Sequence, residues 1–156
     1  MKKIYLLSTC LTLLLTFLFS ANLSSQDALV VGTIKNGNPL LTSLTNATAV
    51  LKGGLEAGSS VSDVYIGQDP SSEKYFLLGM IKNSGVSGKA VELQLEGGRL
   101  IARPGGPGLE VTCNGTNCAK CVPVLTKNGV HCECKDTPLQ TNSACDMTTK
   151  VILSVW

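Results

Sequence analysis

Apolar and polar positions alternate in short registers over most of the chain. Ala28 to Ile34 is a β-rich run, and Lys35, Asn36, Gly37, Asn38 and Pro39 close it with turn formers. Leu40, Leu44, Ala47, Leu51 and Leu55 then recur at three- and four-residue intervals, which predicts one face of a helix of about four to five turns. Pro39 suits its first turn and Gly58 its end. Four strand-like runs follow: Val61 to Gly67, Lys74 to Lys82, Lys89 to Glu96, and Arg99 to Arg103. In the third, Val91, Leu93 and Leu95 alternate with Glu92, Gln94 and Glu96, the mark of a strand with one buried and one wet face. Gly97-Gly98 fits a two-residue hairpin loop.

This pattern predicts an α+β class for residues 27–103, with one helix packed on an antiparallel sheet of four to five strands. Val30 to Asn36 is echoed by Leu77 to Asn83, and shared strand-then-turn chemistry accounts for the likeness without a repeat architecture. The segment 104–108, Pro-Gly-Gly-Pro-Gly, continues neither helix nor central strand and reads as a linker. Residues 109–146 form a cysteine-rich module, and residues 147–156 a C-terminal strand with Val151, Leu153 and Val155 alternating, expected to dock on the sheet.

Six cysteines, Cys113, Cys118, Cys121, Cys132, Cys134 and Cys145, crowd that module. So small a segment cannot bury enough surface to stand alone, and three disulfides would supply what its core lacks. Spacing alone does not give the pairing, since six cysteines allow 15 connectivities. Lys127-Asn128-Gly129 is a hairpin signal. With Asn128 and Gly129 as the loop, Cys132 faces Leu125 and Cys134 faces Pro123. Cys121, Cys132 and Cys134 then share one side of the hairpin, and Cys132 and Cys134 bond to different partners. The rival reading is a metal site: Cys118 and Cys121 have zinc-knuckle spacing, and Cys132 and Cys134 complete four thiolates. Cys113, Cys118 and Cys121 also match the spacing of a plant-type iron–sulfur loop. No metal or other cofactor is the preferred expectation, with zinc the alternative.

The N-terminus favours the disulfide reading. Lys2 and Lys3 precede an apolar stretch from Ile4 to Phe19, and Ser20 and Ala21 follow, so residues 1–21 read as a secretory signal peptide. The apolar run before Cys10 is too short for a lipoprotein signal, and the whole run gives way before spanning a bilayer. The expected location is secreted or periplasmic, with no membrane span after cleavage. Cleavage also changes two numbers. Of 156 residues, seven are cysteines and the formal net charge is +2; loss of Cys10, Lys2 and Lys3 leaves an even six cysteines and eleven basic against eleven acidic residues. A neutral chain with 15% charged residues lacks the basic surface of a nucleic-acid binder.

Catalytic equipment is sparse. His131 is the only histidine, beside Cys132 on the hairpin, and reads as an exposed strand residue. Gly85 to Ala90 has a Gly-Lys pair but not the spacing of a phosphate-binding loop, and reads as a turn between strands. Glu92, Glu96 and Glu110 are carboxylates in no specific motif. After the signal only Tyr65, Tyr75, Phe76 and Trp156 remain as aromatics, too few for a stacking platform.

The segments Tyr75 to Gly79, Ala90 to Leu95, Cys113 to Cys121 and Cys132-Glu133-Cys134 carry a resemblance. In layout the chain resembles a type of small exported protein of the Bacteroidetes, with a signal peptide, a short body and a C-terminal cysteine-rich module. The resemblance implies export and no particular activity. The expected function is a secreted or periplasmic, non-catalytic binding or interaction protein stapled by three disulfides, with a protein or cell-surface partner and no enzyme activity. The alternatives are a metal or redox protein built on the cysteine cluster, and an exported protease or hydrolase inhibitor, the latter by analogy of fold alone.

Overall fold

A computed structural model describes residues 27–118, 120–135 and 143–153. The signal segment, Cys10, the stretch 136–142 and the final three residues with Trp156 lie outside the described residues. The elements in chain order are β1 (Leu29–Lys35), β2 (Asn38–Leu41), α1 (Leu44–Lys52), β3 (Ser60–Gln68), β4 (Tyr75–Lys82), β5 (Gly88–Glu96), β6 (Arg99–Ala102), β7 (Gly108–Thr116), β8 (Cys121–Thr126), β9 (Gly129–Cys134) and β10 (Ala144–Ile152). Among the described residues no helix is long and apolar enough to cross a membrane.

The protein is mostly β, with a nearly closed sheet barrel, which corrects the α+β expectation of a helix on one side of an open sheet. Every strand pairing among the described residues is antiparallel. The order runs β2-β1-β6-β5-β4-β3, and β2 comes to lie against β3 without a ladder between them. Val31, Leu77, Ile81, Leu93, Leu100 and Ala102 fill the inside, and Ala47, Val50 and Leu51 of α1 complete that core.

The helix is shorter than its periodicity implied. Asn36 and Gly37 both take positive φ (52° and 78°), which makes a tight hairpin loop. Leu40 therefore enters β2 opposite Thr33, with Leu41 opposite Gly32. A leucine at helical spacing was thus claimed by sheet pairing. Ser43 caps α1, its side chain accepting from the Asn46 N–H, and the helix stops at Gly53 after nine residues. Gly97 and Gly98, also at positive φ, make the expected two-residue loop between β5 and β6. Asn36 and Asn83, the last residues of the two echoed segments, are both in the left-handed region, so the echo is one strand-ending device used twice.

β5 has an unusual position. Its first half, Gly88 to Val91, pairs with β7, whereas Gln94 to Glu96 pair with β6 on the same edge. The Pro/Gly segment spans the gap between these two neighbours, and β7 carries the sheet on to β10. β4 and β5 are consequently covered on both faces. Phe76, Leu78, Ala90 and Val111 point away from the barrel into a second core with Cys113, Cys118 and Cys121. The hairpin β8–β9 lies over it. Gly67 and Gly88 leave room for this layer: a Cβ on Gly67 would collide with Leu125, and one on Gly88 would come 2.5 Å from Pro123 Cδ.

Three disulfides fix the hairpin: Cys113–Cys132, Cys118–Cys134 and Cys121–Cys145. Cys132 and Cys134 have different partners, as the hairpin geometry predicted. The register differs by two residues. Thr126 faces Gly129, so Lys127 and Asn128 form the loop, Cys134 faces Cys121 and Cys132 faces Pro123. Lys127 and Asn128 keep negative φ while Gly129 takes +97°, so glycine supplies the left-handed residue after the turn rather than within it. A shift of two preserves which side each residue faces, and the three hairpin cysteines still share a side.

Candidate functional site

The division of one β5 edge between β6 and β7 opens a cleft of about 330 Å³. The end of α1 forms one wall (Ala49, Val50, Gly53), the segment from Arg103 to Gly108 the second, and Lys150 and Ile152 of β10 stand at its margin. That volume falls at the small end of the range for ligand pockets.

Lys89 lies at the bottom, its side chain only 2% exposed. Its Nζ donates to the Gly53 carbonyl at 2.7 Å and pairs with Glu110 Oε2 at 3.1 Å. Gly53 caps the C-terminus of α1, so the ammonium sits at the negative end of the helix dipole. Burial of a charge is unfavourable unless it is paired and hydrogen-bonded, and both conditions are met. Apart from Lys150, the rim charges are engaged with one another. Arg103 donates to Gln94 Oε1 at 2.8 Å and to Glu96 Oε1 at 2.6 Å. Glu92 pairs with Lys74 at 2.8 Å and accepts from the Leu109 N–H at 3.0 Å. These contacts pin both ends of the Pro/Gly segment.

Sequence reasoning did not single out Lys89. The signal was present as parity: Lys89 falls in the same alternation as Val91 and Leu93, the inward face of β5, where a charge demands a buried partner. Glu110, like Glu92 and Glu96, stands in no motif. The structure gives each of the three its own cation, Lys74 for Glu92, Arg103 for Glu96 and Lys89 for Glu110.

His131 has neighbours that resemble a hydrolytic triad in order. Thr126 Oγ1 lies 3.3 Å from its Nδ1, and Glu133 Oε1 lies 3.5 Å from its Nε2. Two facts oppose that use. The Thr126 hydroxyl is committed to the turn, accepting from the Asn128 N–H and donating to the Gly129 carbonyl. Glu133 is held by Lys135 at 2.8 Å, and this hydrogen bond keeps its carboxyl below the usual range. The row is a ladder of polar side chains on the outer hairpin, with His131 about 40% exposed and no part of the cleft. Of the Gly85 to Ala90 segment, Gly85 to Ser87 belong to the link between β4 and β5, with Ser87 N–H donating to the Cys113 carbonyl and its carbonyl accepting from Ile81, while Gly88 to Ala90 begin β5, which corrects the reading of the whole segment as a turn.

Of the four cysteines of the zinc alternative, Cys121, Cys132 and Cys134 lie on the hairpin and Cys118 in the turn after β7. All four are engaged in disulfides, one pair with each other and the remaining two with Cys145 and Cys113.

No protein family, no curated protein and no solved structure matches the chain.

Proposed function

We propose that the protein is an exported, non-catalytic binding module whose ligand sits in the cleft over Lys89. Three disulfides belong to an oxidising space, extracellular or periplasmic, and the signal-like N-terminus fits delivery to it. The observation that carries the binding reading is the buried Lys89–Glu110 pair at the base of a cleft rimmed by a pinned Pro/Gly segment. A buried ion pair contributes little net stability, because desolvation offsets its attraction. Its role is therefore sought in recognition. An ammonium has three donors; Gly53 and Glu110 occupy two. The third donor and the second Glu110 oxygen would offer a ligand in the cleft a donor and an acceptor, suited to an amide or a vicinal diol. Apolar walls from Val50, Val91 and Ile152 favour a compact ligand with one apolar side.

The test is a thermal-shift screen of the oxidised exported protein against small amides, amino acids and mono- and disaccharides, followed by calorimetry. The expected result is saturable binding of at least one class, with stabilisation of about 2.7 kcal/mol at a hundredfold excess over Kd. A Lys89→Met/Glu110→Leu variant removes both charges together, so it stays folded and loses that shift. Binding unchanged in the double variant, or no binder in the panel, would overturn the reading.

A further inference from the structure

The strand β10 ends the sheet. It pairs with β7 along its whole length without a register shift, from Ala144 opposite Thr116 to Ile152 opposite Gly108. Its other side has no strand partner among the described residues. Such an edge exposes a row of backbone donors and acceptors, and proteins ordinarily blunt it with proline, bulges, charge or a short strand. β10 has neither proline nor bulge over its nine residues. On the face it shares with Cys145, it also exposes Met147 at 49%, Val151 at 63% and, just beyond its end, Leu153 at 78%.

Its charges select the occupant. Asp146 and Lys150 are exposed, and neither has an ion-pair partner among the described residues. They stand four residues apart and therefore on one face, symmetric about Thr148. An antiparallel second β10 related by a two-fold axis at Thr148 places Asp146 of each copy opposite Lys150 of the other. Directly opposed residues have Cβ atoms about 4.5–5.5 Å apart, within reach of an ion pair. The same register lays Met147 beside Thr149 and Val151 beside Cys145, covering the apolar row. A parallel, in-register pairing would stack aspartate on aspartate and lysine on lysine.

We infer that β10 is a homodimer interface at which two copies of this chain join their sheets edge to edge, with reciprocal Asp146–Lys150 pairs setting the register. The inference does not require the binding reading, although Lys150 also stands at the cleft margin, and its test reads association alone. Two-fold pairing of one strand with itself is the isologous arrangement commonest among oligomers.

Sedimentation velocity and light scattering on the oxidised exported protein test it over a concentration series. The wild type is expected to be a dimer. Asp146→Lys and Lys150→Asp, both on an exposed strand, each replace two attractions with two repulsions, and each raises the dimer dissociation constant on the order of tenfold or more. Mixing the two variants restores opposite charges at every site and yields a heterodimer, and the double exchange Asp146→Lys/Lys150→Asp restores the homodimer. Circular dichroism of each variant checks folding. A wild type monomeric at every concentration up to its solubility limit would overturn the inference, and so would a dimer that the single variants leave intact or a mixture that does not associate.

Discussion

The two faces of β4 and β5 carry cores assembled by different means. Inside the barrel, Val31, Leu77, Ile81, Leu93 and Leu100 meet the helix residues Ala47 and Leu51, and fully buried aliphatic side chains account for the packing. Outside, Phe76, Leu78, Ala90 and Val111 meet a hairpin whose own contribution is largely sulfur, together with the partly exposed Leu125 and Val130. The hairpin is two strands, and an isolated pair is marginally stable in water. Covalent links make up the difference: every bridge joins β8 or β9 to a segment outside the hairpin, in β7, in the turn after it, or in β10. A single sheet can therefore support one layer by burial and another by cross-linking.

Reduction of all three disulfides should have the largest effect on the outer layer. Each bridge closes a loop of 16 to 24 residues, and by the chain-entropy argument each stabilises the fold by about 3 kcal/mol. The expected outcome is release of the hairpin while the barrel persists. Amide hydrogen exchange would show β8 and β9 losing protection and β1, β4 and β6 keeping theirs. Simultaneous loss in both regions would mean that the outer layer is needed to hold the barrel.

Two glycines sit where the outer layer touches the sheet, and substitutions there should have smaller effects. At Gly88 an added Cβ meets the Pro123 ring at 2.5 Å and the Cys121 carbonyl at 3.1 Å, atoms that yield only if the cross-linked hairpin shifts. At Gly67 it meets the end of the Leu125 side chain, which has rotamers to move into. Gly88→Ala should cost about 1–3 kcal/mol by overpacking, and Gly67→Ala distinctly less, both read from denaturant midpoints. Equal costs would show that the hairpin is not rigidly placed.

The smallest effect concerns the loop from β3 to β4, under the hairpin turn. Asp69 accepts hydrogen bonds from the Ser72 hydroxyl and from the N–H and hydroxyl of Ser71, and these hold its carboxyl below the ordinary 3.8. A carboxyl lowered on folding contributes stability above its unfolded value and loses it as pH falls through the folded one. Wild type and Asp69→Asn should differ in stability at pH 6, with the wild type the more stable, and the difference should shrink as pH falls through the folded carboxyl's lowered value. A difference that stays constant over this range would assign the role of Asp69 to shape rather than charge.

Individual strands were legible where local rules agree with them, although the α+β class was not the one the chain adopts. The alternation in β5, the Gly97-Gly98 loop and the apolar run of β4 gave those strands within a residue or two of their observed ends. The two missed strands have identifiable causes. Leu40 fits a helical spacing as well as a strand, and periodicity cannot choose between them when a two-residue turn sits just upstream. β7 follows a Pro/Gly segment that reads as a boundary, yet its residues pair with β5 across that gap, an interaction between positions far apart in sequence. At the candidate site, Glu110 carried no motif, and the inward parity of Lys89 acquires meaning only when the Gly53 carbonyl and Glu110 arrive beside it.

Local pattern set the runs of most strands, the Gly97-Gly98 loop, the sharing of one hairpin face by three cysteines and the different partners of Cys132 and Cys134, since each follows from a period of two or from the steric freedom of glycine. The closing of the barrel, the two-residue shift of the hairpin, the pairing of six sulfurs and the burial of Lys89 were decided only by the tertiary structure. They depend on which distant edges meet, and no local preference encodes a meeting between residues that become neighbours only when the chain has folded.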